Sequence, residues 1–265
     1  MKITLLQMDV CYKNKDKNIN KLRSMLGSAG DVGDMVLLPE LFSTGYVFSD
    51  PSEIHELSEV IVGGHTLNEL QALASEFDTT LVAGIAEKMD DVYFNSVVVV
   101  SSKGLQTCYR KISQTNIDKK YFARGHDLAI FSLAGITFGV VTCFDIWFPE
   151  IVREYAKRGV DVLLHPANFG GPQSHIIAQA RAIENNFWVA TCNRIGNEKI
   201  TSMEASYCGG SRVIDGVGNI VAAVEQQETL ITCEISVDTE KAKTVIGVEL
   251  ADEILKINPW LSKSL

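Results

Sequence analysis

Asp34-Met35-Val36-Leu37-Leu38-Pro39 is a short apolar run closed by proline, and Asp161-Val162-Leu163-Leu164-His165-Pro166 repeats its pattern in the second half of the chain. Read outward by apolar periodicity, each run follows a strand and then a helix. Before the first, residues 3–8 read as a strand, and Ile19, Leu22, Met25 and Leu26 share one helical face within 18–26. Before the second, residues 136–143 read as a strand, and Ile151, Val152, Tyr155 and Ala156 form a helical face. Crossover helices must cover the outer face of a largely parallel sheet. Two such β-α-β halves therefore predict an α/β fold with two sheets packed face to face and helices outside.

The remaining segments continue the alternation. Leu67, Leu70, Leu73, Ala74 and Phe77 make a helical stripe before a strand at 80–86, and strands at 95–101 and 105–110 flank a Ser102-Lys103-Gly104 turn as a hairpin. A helix is expected at 176–186, then strands at 187–192, 210–214, 220–224 and 229–235. No linker or low-complexity stretch divides the chain, so one domain is expected over 1–265.

Composition removes several function classes. The 265 residues are 46% hydrophobic and 22% charged, the usage of an ordinary globular protein. Net charge is -9 with no basic cluster, which disfavours a phosphate backbone as partner, so no nucleic acid is expected. No apolar run reaches the ~20 residues of a membrane helix, so no membrane association is expected either. The N-terminus turns polar too early for an export signal, and the six cysteines are scattered without a C-x-x-C pair. Reduced thiols and a cytoplasmic location are the expectation.

Phosphate-loop, dinucleotide, zinc-protease and serine-hydrolase motifs are absent. The residues of interest sit at the C-terminal ends of expected strands, where open α/β folds place their sites. Cys143 stands at a strand-to-helix turn, where a helix N-terminus favours a thiolate nucleophile; a buried, inert cysteine is the alternative. Glu40 follows an apolar strand and Pro39, a poor place for a solvated acid and a good one for a general base with raised pKa. A capping or ion-paired glutamate is its alternative. Lys111 ends a strand and could hold an oxyanion, or be a plain surface lysine beside Arg110. Asp118, on the loop after it, could orient the lysine or the substrate, or balance Lys119 and Lys120.

Together these segments resemble the nitrilase superfamily of carbon–nitrogen hydrolases over almost the whole chain. The similarity is carried by Pro39-Glu40-Leu41-Phe42-Ser43-Thr44-Gly45-Tyr46, Tyr93-Phe94-Asn95-Ser96, Tyr109-Arg110-Lys111 and Cys143-Phe144-Asp145-Ile146-Trp147-Phe148-Pro149-Glu150. Pro166-Ala167-Asn168, Arg181-Ala182-Ile183-Glu184-Asn185 and Cys192-Asn193-Arg194 follow in order. The resemblance implies a four-layer α-β-β-α sandwich of two mixed sheets, a homodimer or higher homo-oligomer, and catalysis by Glu40 as base, Lys111 as oxyanion stabiliser and Cys143 as nucleophile. It implies no cofactor and no metal. Asp118 aligns with an acid that is commonly glutamate, Ser113 stands where many relatives have histidine, and Trp147 replaces a frequent arginine. Asp118, Phe144, Trp147 and Asn168 are the expected substrate-binding residues, Phe144 through its backbone N–H. Trp147 has two readings, a pocket wall beside the nucleophile or core packing. Arg181, Glu184 and Asn185 are expected to support the turn after Cys143, and His175 to pack at a helix start.

The implied activity is hydrolysis of a small aliphatic amide through a thioester. Nitrile and N-carbamoyl amide substrates are the alternatives within the family, and a catalytically idle scaffold is the alternative outside it.

Overall fold

Asp34 and Asp161 explain why the two repeated runs fold alike. The Asp34 carboxylate accepts the Lys2 N–H at 2.7 Å, its own N–H donates to the Lys2 carbonyl at 3.0 Å, and its carbonyl accepts from Thr80 N–H at 3.0 Å. Asp161 does the same, with Thr137 at 3.0 and 2.8 Å and Trp188 at 2.9 Å. Each aspartate, one residue before a central strand, thus ties that strand's start to both neighbours.

The computed structural model describes residues 1–237 and 244–261. The first half runs β1 (Lys2–Gln7), α1 (Lys15–Ser28), β2 (Met35–Leu37), α2 (Pro51–Leu57), α3 (His65–Glu76), β3 (Thr80–Met89), β4 (Val92–Ser101), β5 (Gly104–Arg110) and α4 (Asp118–Tyr121). The second runs β6 (Ala129–Leu133), β7 (Ile136–Val140), a 3-10 turn (Cys143–Trp147), α5 (Pro149–Lys157), β8 (Val162–Pro166), α6 (Gln173–Asn185) and β9 (Trp188–Cys192). It continues through β10 (Ile195–Ile200), β11 (Met203–Cys208), β12 (Arg212–Ile214) and β13 (Ile220–Ala223). Then come β14 (Thr229–Glu234), β15 (Thr244–Val245), β16 (Val248–Glu249) and α7 (Leu250–Leu261).

The first sheet has the order β14-β1-β2-β3-β4-β5, and the second, read from its other edge, β6-β7-β8-β9-β12-β13. In both, three central strands are parallel and the flanking pairings antiparallel. The repeat is therefore a repeat of strand pairing, with β14 taking in the first sheet the edge that β6 takes in the second. One apolar layer joins the sheets, with Leu5, Leu37, Val82 and Val97 from the first against Phe138, Val140, Leu164 and Ala190 from the second. A second layer packs α1 and α3 on the first sheet through Leu22, Leu26, Leu70 and Leu73. A third packs α5 and α6 on the second through Val152, Tyr155, Ala178 and Ala182. This is the α-β-β-α sandwich. Among the described residues, no helix is long and apolar enough to cross a membrane.

Boundaries differ where apolarity outlasts pairing. The strand expected to reach Cys143 ends at Val140, and the cysteine begins the 3-10 turn. The β10–β11 hairpin, β6, α2 and α4 were not expected. The hairpin strands, Ile195-Gly196-Asn197-Glu198-Lys199-Ile200 and Met203-Glu204-Ala205-Ser206-Tyr207-Cys208, are too polar to signal by hydrophobicity. The α2 signals were chemical instead: Asp50 accepts the Ser52 N–H at 2.8 Å and Pro51 opens the helix.

Candidate active site

Three loops at the C-terminal ends of β2, β5 and β7 converge, and each delivers one chemically active side chain. Glu40 lies just beyond β2, fully buried, on a segment pressed against β3. Gly84 makes that approach possible, because a Cβ there would lie 2.5 Å from Leu41 N and 2.6 Å from Glu40 Cα. Backbone bonds from Gly84 N–H to Pro39 O (3.3 Å) and from Phe42 N–H to Gly84 O (3.0 Å) close the contact. Lys111 follows β5, pinned by its N–H to Asn95 O at 2.8 Å.

Side chains complete the cluster. Lys111 Nζ donates to Glu40 Oε1 at 2.7 Å and to both oxygens of Asp118, at 3.1 and 2.9 Å. Asn95 Nδ2 donates to the same Glu40 oxygen at 2.7 Å. Asp118 also accepts from Thr115 N–H (2.8 Å), Thr115 hydroxyl (2.7 Å), Tyr46 hydroxyl (3.1 Å) and Asn95 Nδ2 (3.3 Å). Its buried oxygens are thus engaged by Lys111, Thr115, Tyr46 and Asn95. Glu40 Oε2, by contrast, is buried with no partner. An unpaired buried carboxylate oxygen costs roughly 1–3 kcal/mol, which a substrate or a proton would recover.

Cys143 is buried at the first residue of the 3-10 turn, with φ of 45°. Left-handed backbone at a non-glycine residue is strained and persists only when its surroundings enforce it. Asp145 supplies much of that enforcement: it accepts from Thr142 N–H at 2.9 Å, Ser113 N–H at 2.7 Å and Tyr109 hydroxyl at 2.7 Å. One carboxylate thus ties the cysteine turn to the loop that carries Lys111. Arg181 holds the far end, donating to the carbonyls of Ile146 (2.9 Å) and Trp147 (3.1 Å), with Glu184 at 3.0 Å as its ion-pair partner. Arg181 and Glu184 are half-buried, and the buried Asn185 joins them, its Nδ2 donating to Arg181 O at 2.9 Å.

Electrostatics follow from this enclosure. Burial pushes the Glu40 carboxyl above the usual carboxylate range, with Lys111 opposing and Asp118 reinforcing. Burial alone would pull Lys111 down, but the carboxylates of Asp118 and Glu40 outweigh it and keep the ammonium charged. Burial also opposes ionisation of Asp118, yet Lys111 and Thr115 hold it below its ordinary value. The Cys143 thiol is pushed up by burial and by Glu40, despite Lys111 and a hydrogen bond from the Asn168 backbone.

The expected substrate-facing residues divide. Asn168 is buried with neither side-chain polar atom partnered. Phe144 is half-buried and packs edge-on against Phe148, with ring centroids 5.1 Å apart. Trp147 is 41% exposed, so it is not core; its indole N–H donates to Ser174 Oγ at 3.1 Å. His175 packs in the first turn of α6, with Nε2 3.0 Å from Gly209 O.

Sequence reasoning passed over Tyr46, Asn95, Asp145 and His165 as site residues. Asn95 had a signal, being polar within a valine-rich strand. So did Asp145, three residues after Thr142 at a helix start. Tyr46 depends on the unexpected hairpin: Glu198, paired with buried Arg194, accepts from the N–H groups of Tyr46 (3.1 Å) and Val47 (2.9 Å) and from Tyr207 hydroxyl (2.8 Å).

Comparison with known proteins agrees with this architecture. The family model described as carbon-nitrogen hydrolase matches residues 2–244. A nitrilase of Pyrococcus abyssi is 38% identical over 202 residues, covering 75% of this chain and 77% of that protein. The 2-oxoglutaramate amidase of Bacillus subtilis is 30% identical over 262 residues, covering 96% of this chain and 97% of the relative. Among solved structures, an amidase from Nesterenkonia sp. shares the fold with a TM-score of 0.80 at 20% identity, covering 100% of this chain and 95% of its own.

Proposed function

The chain belongs to the carbon-nitrogen hydrolase family, and from that premise we propose that it hydrolyses a small aliphatic amide through a thioester on Cys143. The observation that carries this reading is the buried Lys111 ammonium clamped between Glu40 and Asp118, with Glu40 Oε2 left unpartnered. Glu40 takes the thiol proton as sulfur attacks the carboxamide carbon. A raised thiol pKa keeps the resting cysteine protonated, so ionisation accompanies attack rather than preceding it. Lys111 and the backbone N–H of Phe144 hold the oxyanion of the tetrahedral intermediate. Glu40 then gives its proton to the leaving nitrogen, releasing ammonia or an amine. Water, losing its proton to the same carboxylate, attacks the thioester; collapse of that intermediate releases a carboxylate product and restores the thiol.

Phe144, Trp147 and Asn168 are proposed as substrate contacts, Asn168 through its open amide. Nitrile and N-carbamoyl amide substrates would use the same three catalytic groups. Ammonia release from a panel of aliphatic amides, ω-amides, N-carbamoyl amines and nitriles separates them, with Cys143→Ala as control. Turnover of simple amides that the variant abolishes is the expected result. A Cys143→Ala protein that keeps a substantial rate contradicts the mechanism, and turnover of nitriles alone contradicts the substrate class.

A further inference from the structure

His165 is the penultimate residue of β8, its side chain fully buried, and the acyl-transfer scheme does not use it. Its Nε2 lies 3.0 Å from the Cys143 carbonyl oxygen and its Nδ1 3.1 Å from Thr191 Oγ1. A carbonyl oxygen only accepts, so Nε2 carries the proton and Nδ1 accepts from the Thr191 hydroxyl. We propose that His165 is a positioning residue for the oxyanion site: by holding the Cys143 carbonyl it fixes the Cys143–Phe144 peptide plane and so aims the Phe144 N–H at the developing charge. The inference rests on the reading of Cys143 and Phe144 given above.

The physical link is the peptide bond itself. In a planar trans peptide the C=O and the N–H point in opposite directions, so anchoring one sets the other. The 3-10 turn leaves its first amides without partners inside the turn, which makes the Phe144 N–H available to a ligand. This peptide can rotate only through ψ of Cys143 and φ of Phe144, and the bond from the imidazole to its carbonyl oxygen opposes that rotation. Burial pushes the His165 ring down to about 3, which keeps it neutral near neutral pH, and the Cys143 carbonyl and Thr191 hydroxyl fix its tautomer. The fold does not itself demand histidine here: the equivalent position in the first repeat is Leu38, equally buried.

Two reagents distinguish aim from general damage. Acylation of the thiolate by p-nitrophenyl acetate passes through a tetrahedral oxyanion before p-nitrophenolate leaves. Alkylation by iodoacetamide displaces iodide at a saturated carbon and forms no oxyanion. Rates at Cys143 are followed by peptide mass spectrometry in the wild type, His165→Leu, His165→Gln and Thr191→Val. The expected result is a loss of about 10²-fold in acylation for His165→Leu, the scale of one oxyanion donor, with alkylation unchanged. His165→Gln, whose amide N–H can reach the carbonyl, should recover most of the rate. Thr191→Val should slow acylation in the same direction by freeing the other tautomer, and it carries the test if His165→Leu does not fold. Equal losses in both reactions, or acylation unchanged, overturn the proposal. A wild-type Cys143 inert to both reagents removes the nucleophile reading itself, and the role of His165 with it.

Discussion

Glu40 and Asp118 share one ammonium but not one fate. Asp118 is ionised and saturated with donors, and its charge helps to raise Glu40. A base that must be ionised to act gives an acid limb in kcat/KM at its own pKa, here above the ordinary glutamate range. Removing the aspartate charge removes one cause of that rise and leaves Lys111 more fully to Glu40. Asp118→Asn is therefore expected to move the acid limb to lower pH, with a lower maximal rate because Lys111 loses its anchor; a pH–rate profile with an unmoved or raised limb contradicts this. At this scale the sequence singled out Glu40, Lys111 and Cys143 by their places at strand ends, and the family resemblance supplied the roles proposed for them. The structure brings Glu40 and Lys111 into contact. The sequence was silent on His165, and for Asp145 it offered a turn-capping signal but not the reach to the loop that carries Lys111. Their importance lies in the backbone groups they bind, and those partners are 32 and 22 residues away.

Elements bring these residues together by close backbone approach, and Gly84 sets the approach at Glu40. Gly84 on β3 leaves no room for a methyl group against the Pro39-Glu40-Leu41 backbone, which is less able to yield than a flexible side chain. Gly84→Ala is expected to displace Glu40 from Lys111, costing about 1–3 kcal/mol of stability by overpacking and at least tenfold in turnover. Urea unfolding together with amide turnover checks both, and a variant with wild-type activity would show that the contact is not critical. Long buried strands and amphipathic helices were readable from periodicity. The polar β10–β11 hairpin was not, since Glu198 and Arg194 look like surface charges until they meet each other and the Tyr46 backbone.

The two six-stranded sheets share one pattern of strand pairing, and the repeat in 34–39 and 161–166 was the visible trace of it. Which half supplies chemistry was not visible in the repeat: Glu40 in the first corresponds to Ala167 in the second. Enclosing histidines in such a sandwich has a consequence for acid stability. Burial lowers His165 to about 3 and His175 to about 4 from an ordinary 6.5. The unfolded chain takes up these protons first, so their contribution is complete above pH 6.5 and is lost as the pH falls toward those values. For His165 that is about 3 kcal/mol by pH 4.5. Glu40 and Asp145, raised by burial, act in the opposite direction, so the informative quantity is a difference in slope. His165→Gln should flatten the fall in unfolding free energy between pH 7 and 4.5; an unchanged slope would contradict the assignment.

The central claim is a covalent acyl group on one of six cysteines, and it can be weighed directly. Wild type mixed with an amide that it turns over, then quenched in acid, should gain the mass of the acyl group on the peptide containing Cys143. The adduct should be labile to hydroxylamine and absent from Cys143→Ala. Sustained turnover with that peptide unmodified, and activity persisting in Cys143→Ala, would contradict the account.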